Sequence, residues 1–248
     1  MVEKRDVLFT PAGSTRRLHI FLPEGYGESD ERYPVMYFFD GHNLFFNEDA
    51  TYGKSWGLRE FLTGWEKKLI IVGVECSHEG ASRLTEYCPY HFTKGFLGEI
   101  NGTGDATVRW MIDELKPMID AQYRTMPFRE CTAIGGSSMG GLMSLYAALD
   151  YNGAFSRAAC LSPSLWVHPR KSLRMIERAR IAPDTCIYFD YGTLELGNHP
   201  KNTEVLCAAC SALLRKGVDL TFRLVPGGTH SEESWAQRVP VMMKCLGL

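Results

Sequence analysis

The sequence predicts an α/β fold, a mainly parallel sheet with helices on both faces, and three observations predict it. Short apolar runs dense in β-branched and aromatic residues recur along the chain and read as strands buried on both faces. Stretches with helical spacing separate them, and strands alternating with helices imply parallel pairing. The 248 residues, 45% apolar and 12% aromatic, suffice for one domain with a sizeable core.

The elements follow in order. Residues 6–10 and 17–22, joined by a short turn-like stretch, are expected as an antiparallel edge; the second ends at Pro23-Glu-Gly-Tyr-Gly. Buried strands are expected over 33–39, 69–74, 131–135, 157–161, 185–190 and 220–225. Helices are expected over 57–67 behind a cap at Ser55, and over 105–123, where Val108, Ile112, Leu115 and Ile119 keep helical spacing. Further helices are expected over 142–149 and 202–216, the latter closing at Gly217, and over 233–246, which Pro240 should kink or break. Residues 77–104 are polar with little periodicity and read as a long loop, which is more often functional than idle. No repeat or linker divides the chain, so residues 1–248 are expected to form a single domain.

Charge excludes some classes of partner. Charged residues are 23% and the net charge is −2, which gives no electrostatic argument for nucleic acid or an anionic membrane. The first residues, Met1-Val-Glu-Lys-Arg-Asp, lack the apolar run of a signal peptide, and the apolar stretches fall far short of the ~20 residues that span a bilayer. A soluble cytoplasmic protein is expected, with its eight cysteines reduced and mostly buried. Cys207-Ala-Ala-Cys210 has no second pair and falls in an expected helix, so it is not read as a redox or zinc site.

The chemistry centres on Gly136-Ser-Ser-Met-Gly140, a G-x-S-x-G frame between an expected strand and an expected helix. A serine in so sharp a turn is crowded, and glycines two before and two after relieve the crowding. The frame makes Ser138 the nucleophile; shifting it to Ser137 would put Met139 where the second glycine belongs. A serine hydroxyl needs a base, and the base an orienting carboxylate, in the chain order Ser, acid, His. His42 and His78 precede the serine; His168 and His199 follow it, but no strand separates His199 from the acid candidates. His230, just after the last expected strand, is the expected base. Glu195, a few residues past its strand, is preferred as the acid; Asp190 remains the alternative, or braces the loop. Two backbone N–H groups should hold the oxyanion: that of Met139, and that of His42 in Asp40-Gly-His-Asn, where Gly41 lets the chain turn. Phe45, Phe46, Trp56, Tyr90 and Trp166 are candidates for the substrate pocket or for ordinary core packing.

These segments, Asp40-Gly-His-Asn-Leu-Phe, Gly-Gly-Ser-Ser-Met-Gly-Gly, Leu161-Ser-Pro-Ser-Leu-Trp, Gly192-Thr-Leu-Glu and Gly-Gly-Thr-His230, together resemble the putative esterase family. It includes esterase D (S-formylglutathione hydrolase), feruloyl esterases, enterobactin-type siderophore esterases and mycolyl transferases. The resemblance runs from about the second strand to the last helix. It implies an α/β-hydrolase fold without a separate lid domain, a triad on Ser138, Glu195 and His230, and an oxyanion donor at His42. Leu161-Ser-Pro-Ser-Leu-Trp looks most like the siderophore-esterase branch. A glutamate as the acid departs from the aspartate of esterase D and weakens a formylglutathione assignment.

The expected function is a serine carboxylic ester hydrolase acting on a small or medium ester. Its alternatives are an acyltransferase with the same triad and a non-catalytic binding protein on the same scaffold. No cofactor or metal is expected, since the histidines show no H-E-x-x-H or comparable spacing. The sequence leaves the oligomeric state open, a homodimer included.

Overall fold

The computed structural model describes residues 1–95, 98–196 and 200–248. Its strands are β1 (Val2–Phe9), β2 (Ser14–Phe21), β3 (Val35–Phe39), β4 (Ile70–Val74), β5 (His91–Lys94), β6 (Gly98–Asn101), β7 (Thr132–Ser137), β8 (Arg157–Leu161), β9 (Cys186–Gly192) and β10 (Asp219–Val225). Eight of them form one sheet in the order β1-β2-β4-β3-β7-β8-β9-β10. From β4 to β10 every pairing is parallel. β1 and β2 form the antiparallel edge, and β2 joins β4 antiparallel.

Both faces of the sheet are covered, and the apolar runs follow from that. In β3, Val35, Tyr37 and Phe39 belong to one core and Met36 and Phe38 to the other, the alternation a pleated strand imposes. The first core is closed by the helices Met139–Asp150, Pro169–Arg178 and Pro200–Arg215 and by the helical stretch from Gly104 to Gln122. The second is closed by Leu58–Thr63 and Val239–Leu246. Because the central strands run parallel, their carboxyl ends meet along one edge, where ligands bind in open α/β sheets. Asp40, Ser138, Ser162, Glu195 and His230 follow β3, β7, β8, β9 and β10 there.

Several elements differ from expectation. Residues 77–104 are not all loop: they hold the short helix Ser82–Glu86 and the β5–β6 hairpin, whose Phe92 and Ile100 are buried. The hairpin strands are too short to show periodicity. Helix Pro169–Arg178 was not expected; a proline at its start and the His168 ring, whose Nδ1 accepts from the Lys171 N–H (3.4 Å), mark its beginning. The expected helix over 105–123 carries a π-helical turn, Met111–Leu115, just before Pro117. Proline removes a helical donor and crowds the carbonyl four residues back, and a widened turn relieves both. Pro240 breaks the last helix into Glu232–Ala236 and Val239–Leu246 and sits in the first turn of the second, where it costs no hydrogen bond. Among the described residues no helix is long and apolar enough to cross a membrane.

Candidate active site

Ser138 stands between β7 and helix Met139–Asp150 with φ 58° and ψ −120°. A non-glycine residue in that region is strained and persists only where its surroundings hold it. Its N–H donates to the Leu161 carbonyl (2.9 Å), and its own carbonyl accepts from Leu142 (3.1 Å) and Ser164 (3.0 Å). The flanking glycines are required by packing. A Cβ on Gly136 would stand 2.8 Å from the Gly140 carbonyl carbon, and one on Gly140 3.0 Å from Phe39 Cβ.

His230 Nε2 lies 2.9 Å from Ser138 Oγ, and its Nδ1 lies 2.8 Å from Glu195 Oε2. The three residues expected from chain order therefore form one hydrogen-bonded relay. The His230 side chain is 47% exposed, with its ring edge-on to Trp235, whereas Glu195 is 4% exposed. The other oxygen of Glu195, Oε1, accepts from the Gly192 N–H (2.8 Å), Ser162 Oγ (2.8 Å) and Arg238 Nη2 (2.9 Å). Burial works to raise the Glu195 pKa, but the bonds from His230, Arg238, Ser162 and Gly192 outweigh it and hold the carboxyl below its ordinary value. Of the other histidines beyond Ser138, His168 caps helix Pro169–Arg178 and His199 lies outside the described residues.

Asp190 takes a different place. It is fully buried and accepts from Arg238 Nη1 (2.9 Å) and Tyr188 Oη (2.7 Å). Burial raises its pKa in spite of Arg238. Between the two acids sits the buried Arg238 guanidinium, which also donates to Ser162 Oγ (2.9 Å), Ser234 Oγ (2.9 Å) and the Thr229 carbonyl (2.9 Å). Ser162, at φ 44°, donates to Glu195 and accepts from Arg238 and from Trp235 Nε1 (3.0 Å), which fills its hydrogen-bonding capacity. Arg238, Ser162 and Trp235 were not expected at the site. Trp235, Arg238 and Val239 stand three and four positions apart, which puts Arg238 on the inward face of the last helical segment. That spacing is the available signal.

On the opposite side, Asp40 turns the chain at φ 57° after β3, and its carboxylate holds Arg83 by two bonds (2.6 and 2.8 Å). Gly41 is indispensable, because a Cβ there would stand 2.3 Å from the Gly73 carbonyl carbon. His42 follows, buried, with Nε2 2.9 Å from Thr51 Oγ1. Burial lowers its pKa below the ordinary histidine value. A cavity of about 640 Å³ opens here, lined by Asp40, His42, Ser138, His230 and Trp235, with the exposed Tyr52 at its rim. A second, of about 260 Å³, lies beyond His230 and Glu195 and is lined by Leu165, Trp166, Tyr191 and Leu206. Trp166 thus lines a cavity. Phe45 and Trp56 line neither: Phe45 stacks on Phe21 (6.2 Å) and Trp56 packs edge-on to Phe38 (5.9 Å), both in the core. Tyr90 is likewise buried, donating to Met175 Sδ (3.3 Å), and Phe46 lies beneath Lys4 and Arg59.

A parallel-centred sheet with a serine on a strained strand-to-helix turn, facing a histidine and a carboxylate from later loops, defines an esterase-type member of the α/β-hydrolase fold. A family described as "Putative esterase" matches residues 11–246, and the chain belongs to that family. The chain is 25% identical over 153 residues to the uncharacterized protein YbbA of Bacillus subtilis and 30% identical over 142 residues to esterase Rv1288 of Mycobacterium tuberculosis. These matches take in 61% and 57% of the chain, and only 58% and 28% of the respective relatives. Among solved structures it is similar to an IroE-like serine hydrolase from Shewanella oneidensis, with a TM-score of 0.79 and 23% identity over 99% of this chain and 79% of that one. At that identity the likeness bears on the fold alone.

Proposed function

We propose that the chain is a serine carboxylic ester hydrolase, a single domain built on one continuous sheet, working through an acyl-enzyme on Ser138. The observation that carries this reading is the relay from Ser138 Oγ through His230 to Glu195, at 2.9 and 2.8 Å. Ser138 Oγ attacks the ester carbonyl as its proton passes to His230 Nε2. Glu195 holds the Nδ1 proton and stabilises the imidazolium. The negative charge formed on the carbonyl oxygen falls to the N–H groups of Met139, the residue after the nucleophile, and of His42, which lines the larger cavity. The C–O bond to the alcohol then breaks, and the leaving oxygen takes the proton from His230. Water, deprotonated by the same nitrogen, attacks the acyl carbon and frees Ser138. The chemistry of these residues needs no cofactor.

The half-exposed His230 favours water as the acceptor over a sheltered second alcohol. The strain at Ser138 speaks against a binding-only scaffold, which has no use for it. The larger cavity is in the range that takes a small or medium ester. The proposed compartment is the cytoplasm, in keeping with the buried free thiols of Cys76, Cys88 and Cys160.

The test is hydrolysis of p-nitrophenyl acetate, butyrate and octanoate by the wild type and Ser138→Ala. Loss of a triad serine is expected to lower kcat about 10⁶-fold. Full turnover by Ser138→Ala would overturn the mechanism, and the chain-length preference sizes the acyl pocket.

A further inference from the structure

His42, Cys76 and His78 meet in the wall of the larger cavity, although the proposed chemistry uses only the backbone of His42. One ring nitrogen from each histidine and Cys76 Sγ lie within 4.8 Å of one another. The two rings are edge-to-face with centroids 4.8 Å apart. Sequence spacing hides the group, because His42 comes from the loop after β3 and the other two from the loop after β4.

Each histidine is already oriented. His42 Nε2 is tied to Thr51 Oγ1 (2.9 Å), and the Thr51 N–H is itself fixed on Asn43 Oδ1 (3.0 Å). His78 Nε2 is tied to Glu75 Oε2 (3.2 Å). With Nε2–H donating in each bond, Nδ1 is the ring atom with a lone pair to offer. In His42, only 4% exposed, that Nδ1 is buried without a hydrogen-bond partner among the described residues. An orphaned buried nitrogen is costly, and a cation bound there would remove the cost. An imidazole whose far nitrogen is fixed by a carboxylate or hydroxyl is the usual support of a metal ligand.

We propose that His42, Cys76 and His78 bind a borderline transition-metal cation of the Zn²⁺ class, and that the bound ion closes the oxyanion side of the cleft. Two imidazoles and a thiolate are the ligands such a cation prefers, and a fourth position is left facing the cavity. Ligands at about 2.0–2.3 Å from the ion stand roughly 3.5 Å apart, so the group must tighten by about an ångström. The exposed His78 side chain can supply that by rotating. On binding, the Cys76 S–H proton leaves to solvent as the sulfur–metal bond forms. The ion would then sit beside the His42 backbone, where the substrate carbonyl must enter. Binding rests on these side chains alone, whereas closure of the cleft rests on the proposed hydrolase reading.

Co²⁺ added to the whole chain should give one equivalent of binding with a thiolate-to-metal charge-transfer band and tetrahedral d–d bands. Cys76→Ser should lose the charge-transfer band, and Zn²⁺ competition should show affinity at least about tenfold weaker. The exposed His78→Ala, which leaves the buried packing alone, should weaken Zn²⁺ by a similar factor. Zn²⁺ should slow p-nitrophenyl acetate hydrolysis by the wild type, and each variant, scaled to its own metal-free rate, should need at least about ten times more. A wild type without the charge-transfer band, or equal Zn²⁺ affinity in both variants and the wild type, would overturn the site. Binding that leaves the rate unchanged would overturn closure of the cleft. The cobalt spectrum needs no turnover, so it reads the site even in a chain that hydrolyses no ester.

Discussion

His230 divides two polar regions that are built in opposite ways. On the Glu195 side, Ser162, Asp190, Glu195 and Arg238 are densely bonded to one another, with Arg238 Nε their one buried polar side-chain atom lacking a partner among the described residues, and the side chains of both carboxylates and of the arginine are at most 4% exposed. On the His42 side, Asp40, His42, Cys76 and His78 border the larger cavity; the first three are buried and His78 is exposed, and His42 Nδ1 has no partner among the described residues. A dry, densely bonded network fixes a geometry before a ligand arrives, and its strength grows as water is excluded. The difference is that the first region is bonded mostly to itself, whereas the second turns polar groups towards a cavity that can receive a ligand.

The sharpest way to break this contrast is Glu195→Gln. The amide preserves size but offers the His230 Nδ1 an N–H as readily as an oxygen, which favours the wrong tautomer for accepting the Ser138 proton. A fall of about 10⁴-fold in kcat is expected, with KM little changed. Single-turnover acylation measurements would locate the loss. A fall of less than tenfold would mean that Glu195 only braces the loop.

Arg238→Met tests the dry side as a unit. It leaves Asp190 buried without its cation, and uncompensated buried charge costs about 3–5 kcal/mol. The urea midpoint should drop with the slope unchanged. Because burial already raises the Asp190 pKa, Arg238→Met/Asp190→Asn should recover part of that stability. It should not recover kcat, since Glu195 would still lack its Arg238 bond (2.9 Å). Recovery of both would reduce Arg238 to a structural role.

How much of this was legible in the sequence depends on whether the signal was local. The strands over 33–39 and 69–74 announced themselves because both faces are buried, so each run is apolar throughout. Ser138 was legible because the strained turn demands glycines at fixed offsets, and Glu195 and His230 because strand order places them. Arg238 and Ser162 were not, because the network joins positions 162, 190, 195 and 238 from separate elements that have no spacing in common. An arginine near the end of a chain reads as a solvated charge until three dimensions bury it. Phe45 and Trp56 were ambiguous for a related reason: an aromatic residue beside a catalytic loop has the same composition whether it faces the cavity or the core.

The smallest expected effect lies on the His42 side and runs with pH. Glu75 accepts from His19 Nε2 (2.7 Å) and His78 Nε2 (3.2 Å), and its side chain is 18% exposed. Burial works to raise its pKa, but the two imidazoles outweigh it and bring the carboxyl down from 4.5 to about 2. For an acid whose folded value is depressed, the ionised form stabilises the fold above the unfolded value and loses that stabilisation as pH falls through the folded one. The wild type should therefore exceed Glu75→Gln by at most about 3 kcal/mol near neutral pH, and the gap should close between pH 4.5 and about 2. Urea melts across that range would measure it. A gap that stays constant with pH would mean that Glu75 contributes packing rather than charge, and would remove the carboxylate that orients His78.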